Sequence, residues 1–270
     1  MEPSPPSFLE RHDFVIRRLH SLSGLIPVGA YMVIHLATNA TVLNGPGAYQ
    51  KNVYSIHSLG GMLPIVEWVF IFIPILFHAI VGVMIVAGAV PNTTNYPYGA
   101  NWRYTLQRWT GMIAFAFIMW HVFHMHGWFH NEFWLERVAE PYGGAKFRAY
   151  NATSTGGMAL ASIVVFVLYA IGMLASVFHL ANGIWSMGIT WGVWTSQKAM
   201  DRALWVCAAF GVLLALVGLG ALGGMRQYGS GEKLEQARDI ENRMYEYRVR
   251  SGELVPSEEK RAAPERTPEE

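Results

Sequence analysis

Charge and cysteine are what this sequence has least of. Only 14% of its 270 residues are Asp, Glu, Lys or Arg while 52% are hydrophobic, a balance that excludes an ordinary soluble domain. The single cysteine, Cys207, excludes an internal disulfide and any cluster of thiolate ligands. No Gly-rich dinucleotide fingerprint occurs. With 20 basic residues against 19 acidic ones, no nucleic-acid partner is expected.

The missing charge is missing in blocks. Uncharged stretches run from Leu19 to Gln50, Trp68 to Trp102, Trp109 to Asn131, Ala149 to Gln197 and Ala203 to Met225, and each contains the roughly 20 residues that a bilayer-spanning helix needs. The fold class expected is therefore an all-α integral membrane protein with five transmembrane helices, at about 20–43, 63–90, 107–130, 156–182 and 202–225. Residues 1–19 form a flank before this 20–225 membrane domain. Residues 226–270 change abruptly to a charged, Pro-, Glu-, Lys- and Arg-rich composition and are expected to be a largely disordered tail, with a short surface helix over about 233–250. Arg11, Arg17, Arg18, Arg103, Arg108, Lys198 and Arg202 fall on one side, against Lys51, Arg137, Lys146 and Arg148 on the other. The N-terminus is thus expected to be cytoplasmic, in a multi-pass protein of the cytoplasmic (inner) membrane. The first apolar run exceeds a signal-peptide core and is expected to be retained.

Ionisable groups at bilayer depth are costly and mark functional sites. Four of the five spans carry one histidine each at depth: His35, His78, His121 and His179. His35 and His121 lie about 15 and about 14 residues into outward-running helices, past the midplane at about 1.5 Å per residue. His78 and His179 lie about 15 and about 23 residues into inward-running ones, which places them in the inner half. Two histidines facing each other at matched depth supply both axial nitrogens of a haem iron, so two such pairs predict two haems held one above the other in a four-helix bundle, a wire across the membrane. Without a Cys-x-x-Cys-His motif the haems are b-type. Gly24, Gly82, Gly172 and Gly183 recur at helical offsets from these histidines, where a flat macrocycle needs close backbone approach. Zinc would require convergence of the four at one depth, and a proton relay would require carboxylates among them.

The segments Arg17-Arg18-Leu19-His20-Ser21, Pro27 to His35, Leu106-Gln107-Arg108-Trp109-Thr110-Gly111, Trp120-His121 and Phe178-His179-Leu180-Ala181-Asn182-Gly183-Ile184-Trp185-Ser186 carry a resemblance. From Arg17 to about Gly224 the chain resembles the cytochrome b subunit of succinate dehydrogenase or fumarate reductase, of the single-subunit, five-helix, two-haem b558 type. That resemblance implies haem ligands at His35, His78, His121 and His179, paired first with third and second with fourth. It implies partners as well: a flavoprotein subunit that oxidises succinate and an iron–sulfur subunit, both anchored by this one, with electrons leaving through the haems to menaquinone or another quinone. The dicarboxylate chemistry would then lie on another subunit.

Quinone reduction consumes protons. Glu67, the one acidic residue within an expected span, lies eleven residues before His78 on the same face, and the resembling family carries a Glu at this offset, so it is the candidate catalytic proton donor. His20, Ser21 and Arg108 sit at helix starts where propionates of the inner haem would emerge, with the Arg108 guanidinium suited to a carboxylate. An interfacial Glu67 and a positive-inside Arg108 are the plainer alternatives. His124 rivals His121 as ligand, His126 and His130 have surface metal-pair spacing, His12 and His57 are expected in loops, and the tryptophans near span ends form an aromatic belt. Two other functions compete: the cytochrome b anchor of a different respiratory dehydrogenase, and a haem-free proton-coupled transporter.

Overall fold

The computed structural model describes residues 8–88, 93–129 and 131–262, and no strand occurs among them. Their α-helices are α1 (Phe8–Ser23), α2 (Ala30–Ala40), α3 (Pro46–His57), α4 (Leu63–Glu67), α5 (Ile73–Ala87), α6 (Gly99–His126), α7 (Glu132–Trp134), α8 (Ala152–Ala159), α9 (Ile163–Thr190), α10 (Gln197–Arg226) and α11 (Gly231–Arg250). The first two long helices are composites. A π-helical stretch, Gly24–Gly29, joins α1 to α2, and a second, Trp68–Phe72, joins α4 to α5. Proline explains where they fall: Pro27 lies inside the first stretch and Pro74 opens α5 directly after the second. A proline lacks the N–H that would bond four residues back, so the ladder widens locally instead of breaking.

Among the described residues four helices are long and apolar enough to cross a membrane: residues Arg11–Asn44, Gly60–Ala87, Ile163–Thr190 and Gln197–Arg226. Their outward faces are apolar too, with Ile80, Val164 and Leu216 all at least 60% exposed, an arrangement suited to lipid and costly in water. The five expected spans are thus matched by apolarity at four. The helix over the remaining one, α6, has 28 residues, but Arg103, Gln107 and Arg108 near its start and three histidines near its end dilute its hydropathy.

Two expected boundaries change. The fourth span starts at Ile163, not near 156, because Ala152–Ala159 is a separate short helix whose residues from Ala152 to Gly157 are buried. Its Ala, Thr, Ser and Gly carry no charge, so nothing in the sequence separates it from the apolar run that follows. The tail is corrected as well: α11 is a well-formed 20-residue helix with Leu234, Ala237, Glu241 and Tyr245 buried along one stripe, not a largely disordered segment. The expected helix over 233–250 lies within it, while residues 263–270 and His130 fall outside the described residues.

The described residues form two compact units. One comprises the described residues up to Ile34, then Pro64–Phe115 and Leu174–Leu214. In it α1 packs on α5, and the two π-helical stretches touch. The other comprises His35–Leu63, Ala116–Met173 and the described residues from Ala215. Its core gathers Val42, Tyr54, Tyr150, Tyr169, Met225 and Tyr245, with α3, α8 and α11 packed on one another. Gln50 of α3, without exposure, donates to the Ala149 carbonyl at 2.7 Å and accepts from the Ala152 backbone N–H at 2.9 Å. Glu241 of α11, equally buried, accepts from the backbone N–H of Thr153 and Ser154 at 2.5 and 3.2 Å. Together they satisfy donors that the first turn of α8 leaves open.

Candidate functional site: two histidine pairs

The first unit brings His78 of α5 and His179 of α9 together, with ring centres 6.1 Å apart and planes at 84°. Each ring is held from behind. His78 Nδ1 lies 2.8 Å from the carbonyl oxygen of His20, and His179 Nδ1 lies 2.9 Å from that of Gln107. A carbonyl only accepts, so both Nδ1 atoms carry the proton and donate, which leaves each Nε2 as a lone-pair donor. Histidines that bind metals are oriented in this way. The Gln107 amide locks the arrangement further: its Nε2 donates to the His179 carbonyl at 3.0 Å and its Oε1 accepts from Asn182 at 2.8 Å.

Glycines make room for these rings. A Cβ on Gly24 would overlap the His78 imidazole, and one on Gly111 would come within 2.7 Å of His179. Of the other glycines expected on ligand faces, Gly82 lies against His20, Gly183 against Gln107 and Gly172 against Phe117.

The second unit brings His35 of α2 and His121 of α6 together, with ring centres 5.9 Å apart and planes at 74°. Two imidazoles bound to opposite faces of one iron, at about 2.0 Å per metal–nitrogen bond and about 1.1 Å more to each ring centre, would have centres about 6.2 Å apart. Both pairs match that span. Among the described residues no three His, Cys, Asp or Glu side chains converge on a metal position. His124, the rival ligand, is buried, and its Nδ1 lies 2.7 Å from the Tyr169 hydroxyl.

The remaining candidates sit as follows. His20 lies flat on His78, centres 4.0 Å apart, and its Nδ1 is buried with no hydrogen-bond partner. Arg108 bonds the Tyr104 hydroxyl and stacks over that ring at 3.8 Å, while its Nη1 is buried and unpartnered. The orphaned Arg108 guanidinium N–H suits an anionic group such as a propionate, and His20 Nδ1 does so when it carries the ring proton. Ser21 differs: its hydroxyl donates to the Arg18 carbonyl and accepts from Trp191 Nε1 at 3.0 Å, so it is already engaged. Glu67 ends α4, half-buried and within electrostatic reach of Tyr31. His12 and His57, expected in loops, lie on α1 and at the end of α3.

Sequence reasoning did not single out Gln107, Gly111 or Tyr169. The first two were legible only as parts of a motif, and an aromatic within an apolar helix gives no signal of its own.

Over 210 residues the chain is 33% identical to the succinate dehydrogenase cytochrome b558 subunit of Bacillus subtilis (strain 168). The match covers 78% of this chain and 96% of that protein. No family model matches.

Proposed function

The chain belongs to the succinate dehydrogenase cytochrome b558 family, and we propose that it carries electrons through two haems b, one held by His78 and His179 and the other by His35 and His121, to a quinone. Its place is that of the membrane-anchoring cytochrome b subunit of a succinate:quinone oxidoreductase, in complex with other subunits of that enzyme. We read those partners as a flavoprotein, where the dicarboxylate is oxidised or reduced, and an iron–sulfur subunit. The observation that carries the two-haem reading is the pair of ring separations, 6.1 and 5.9 Å, each fitting one iron between two imidazoles.

Bound there, each haem supplies a one-electron carrier. The histidines would supply orientation: with Nδ1 held by backbone carbonyls, His78 and His179 would each offer Nε2 as the ligand atom. The buried, unpartnered nitrogens of His20 and Arg108 support propionate binding by these two, His20 in the tautomer that protonates Nδ1, and Ser21 would serve only by exchanging an existing bond. A quinone takes up two protons with its two electrons, and a haem provides none. Glu67 is the acid we assign to that delivery, being half-buried in an apolar helix and within electrostatic reach of Tyr31. We read α6 as the fifth span, since a ligand on it belongs at bilayer depth, and we read the N-terminus as cytoplasmic in an inner-membrane protein. Electron flow across the membrane would then couple to its potential, at roughly 2.3 kcal/mol per charge per 100 mV.

Haem quantification on the purified chain, with a dithionite-reduced minus oxidised spectrum, tests the reading. Two b-type haems per chain are expected. A colourless protein, or one haem per chain, overturns it.

A further inference from the structure

Tyr169 of α9 is 3% exposed and sits in a cage of rings: Phe117 and Trp120 meet it edge-on at 5.4 and 5.0 Å. Its hydroxyl lies 3.3 Å from His121 Nδ1 and 2.7 Å from His124 Nδ1. Trp120 in turn stacks on His124, planes 16° apart, and Phe117 stacks on His121. The hydroxyl thus sits between two imidazoles, with an aromatic ring stacked on each.

We propose that Tyr169 is a positioning residue for the second histidine pair, its hydroxyl accepting from His121 Nδ1–H and donating to His124 Nδ1. The inference rests on His121 being an iron ligand through Nε2, which obliges Nδ1 to carry the proton. The phenolic oxygen then has one role open towards His121, acceptor, and its own hydrogen goes to the nearer nitrogen of His124. Two consequences follow. The orientation of the His121 ring is set by a side chain, whereas His78 and His179 are set by backbone carbonyls. The electron density that His121 gives its iron also depends on how well the phenol accepts, and that acceptance is strengthened because its hydrogen is already engaged by His124.

Tyr169→Phe in the assembled complex removes the hydroxyl and leaves the ring. Weaker donation to the oxidised iron raises the potential of the haem that His121→Ala eliminates, seen in a redox titration as about a threefold to tenfold rise in its reduced-to-oxidised ratio at a fixed potential, with the other haem unchanged. His124→Phe keeps a ring against Trp120 but takes away the acceptor, and shifts the same haem in the same direction by less. An unchanged potential in Tyr169→Phe, or an equal shift of both haems, overturns the proposal. If Tyr169→Phe loses that haem altogether, His124→Phe decides: a shift confined to that haem sustains the proposal and no shift overturns it. A wild-type chain lacking two haems, or a His121→Ala protein that keeps both, instead defeats the ligand assignment beneath it.

Discussion

His78 and His179 face each other across 6.1 Å between ring centres, and each gives its Nδ1 proton to a backbone carbonyl, that of His20 at 2.8 Å and that of Gln107 at 2.9 Å. A backbone acceptor is present whatever side chain occupies the position, so the orientation of this pair is built into the helix packing. The substitutions that disturb it most are those that push the backbones apart.

Gly24→Ala and Gly111→Ala do this directly, because each added Cβ meets a histidine ring with no slack. Overpacking at such sites costs about 1–3 kcal/mol. The haem-to-protein ratio of both variants falls towards one. Gly223→Ala, whose Cβ has nothing within 4 Å, keeps the wild-type ratio.

Gln107→Ala separates the backbone role of this residue from its side chain. The carbonyl still accepts from His179, but the amide bonds to the His179 carbonyl and to Asn182 disappear, leaving the partly buried Asn182 amide without that acceptor. Haem content stays at the wild-type value, while thermal release of haem sets in earlier, matching a loss of about 1–3 kcal/mol.

Much of this was legible because ionisable residues stand out against an apolar background. His35, His78, His121 and His179 each lie in an uncharged stretch, and in the structure the His35 ring lies near His121 and the His78 ring near His179. The start of α9 at Ile163 places His179 sixteen residues in rather than about 23, close to the count for His78. Features without such contrast stayed hidden. Tyr169 is one aromatic among many, and α8 is uncharged like the helix after it. In α11 the stripe of Leu234, Ala237 and Tyr245 was masked by a surrounding excess of charge and by Glu241 lying on the buried face.

Glu241 gives the packing of α11 on α8 a pH dependence. Burial raises its pKa above the usual carboxylate range despite the hydrogen bonds from Thr153 and Ser154, which act the other way. The folded state therefore holds this proton more tightly than the unfolded chain. Its contribution is full below the ordinary carboxylate range and is lost as pH rises through the raised value. Melting of the purified protein across that window falls with pH in the wild type and flattens in Glu241→Gln. Glu241→Ala, which strips the start of α8 of its acceptor, costs about 1–3 kcal/mol below that window.

Glu67→Gln tests proton delivery apart from electron delivery. The amide is isosteric and donates no proton to a reduced quinone, so quinone turnover by the complex drops about 10-fold to 1000-fold. Both haems remain and still accept electrons from succinate in a rapid-mixing experiment. Wild-type quinone turnover in this variant would remove Glu67 from the mechanism.

The most direct test of the two-haem account is haem content and the reduced-minus-oxidised spectrum of four single variants, His35→Ala, His78→Ala, His121→Ala and His179→Ala. The account predicts that His35→Ala and His121→Ala lose the same spectral component, that His78→Ala and His179→Ala lose the other, and that each variant keeps one haem. Loss of both haems in every variant, or components that group the histidines in any other way, would contradict it.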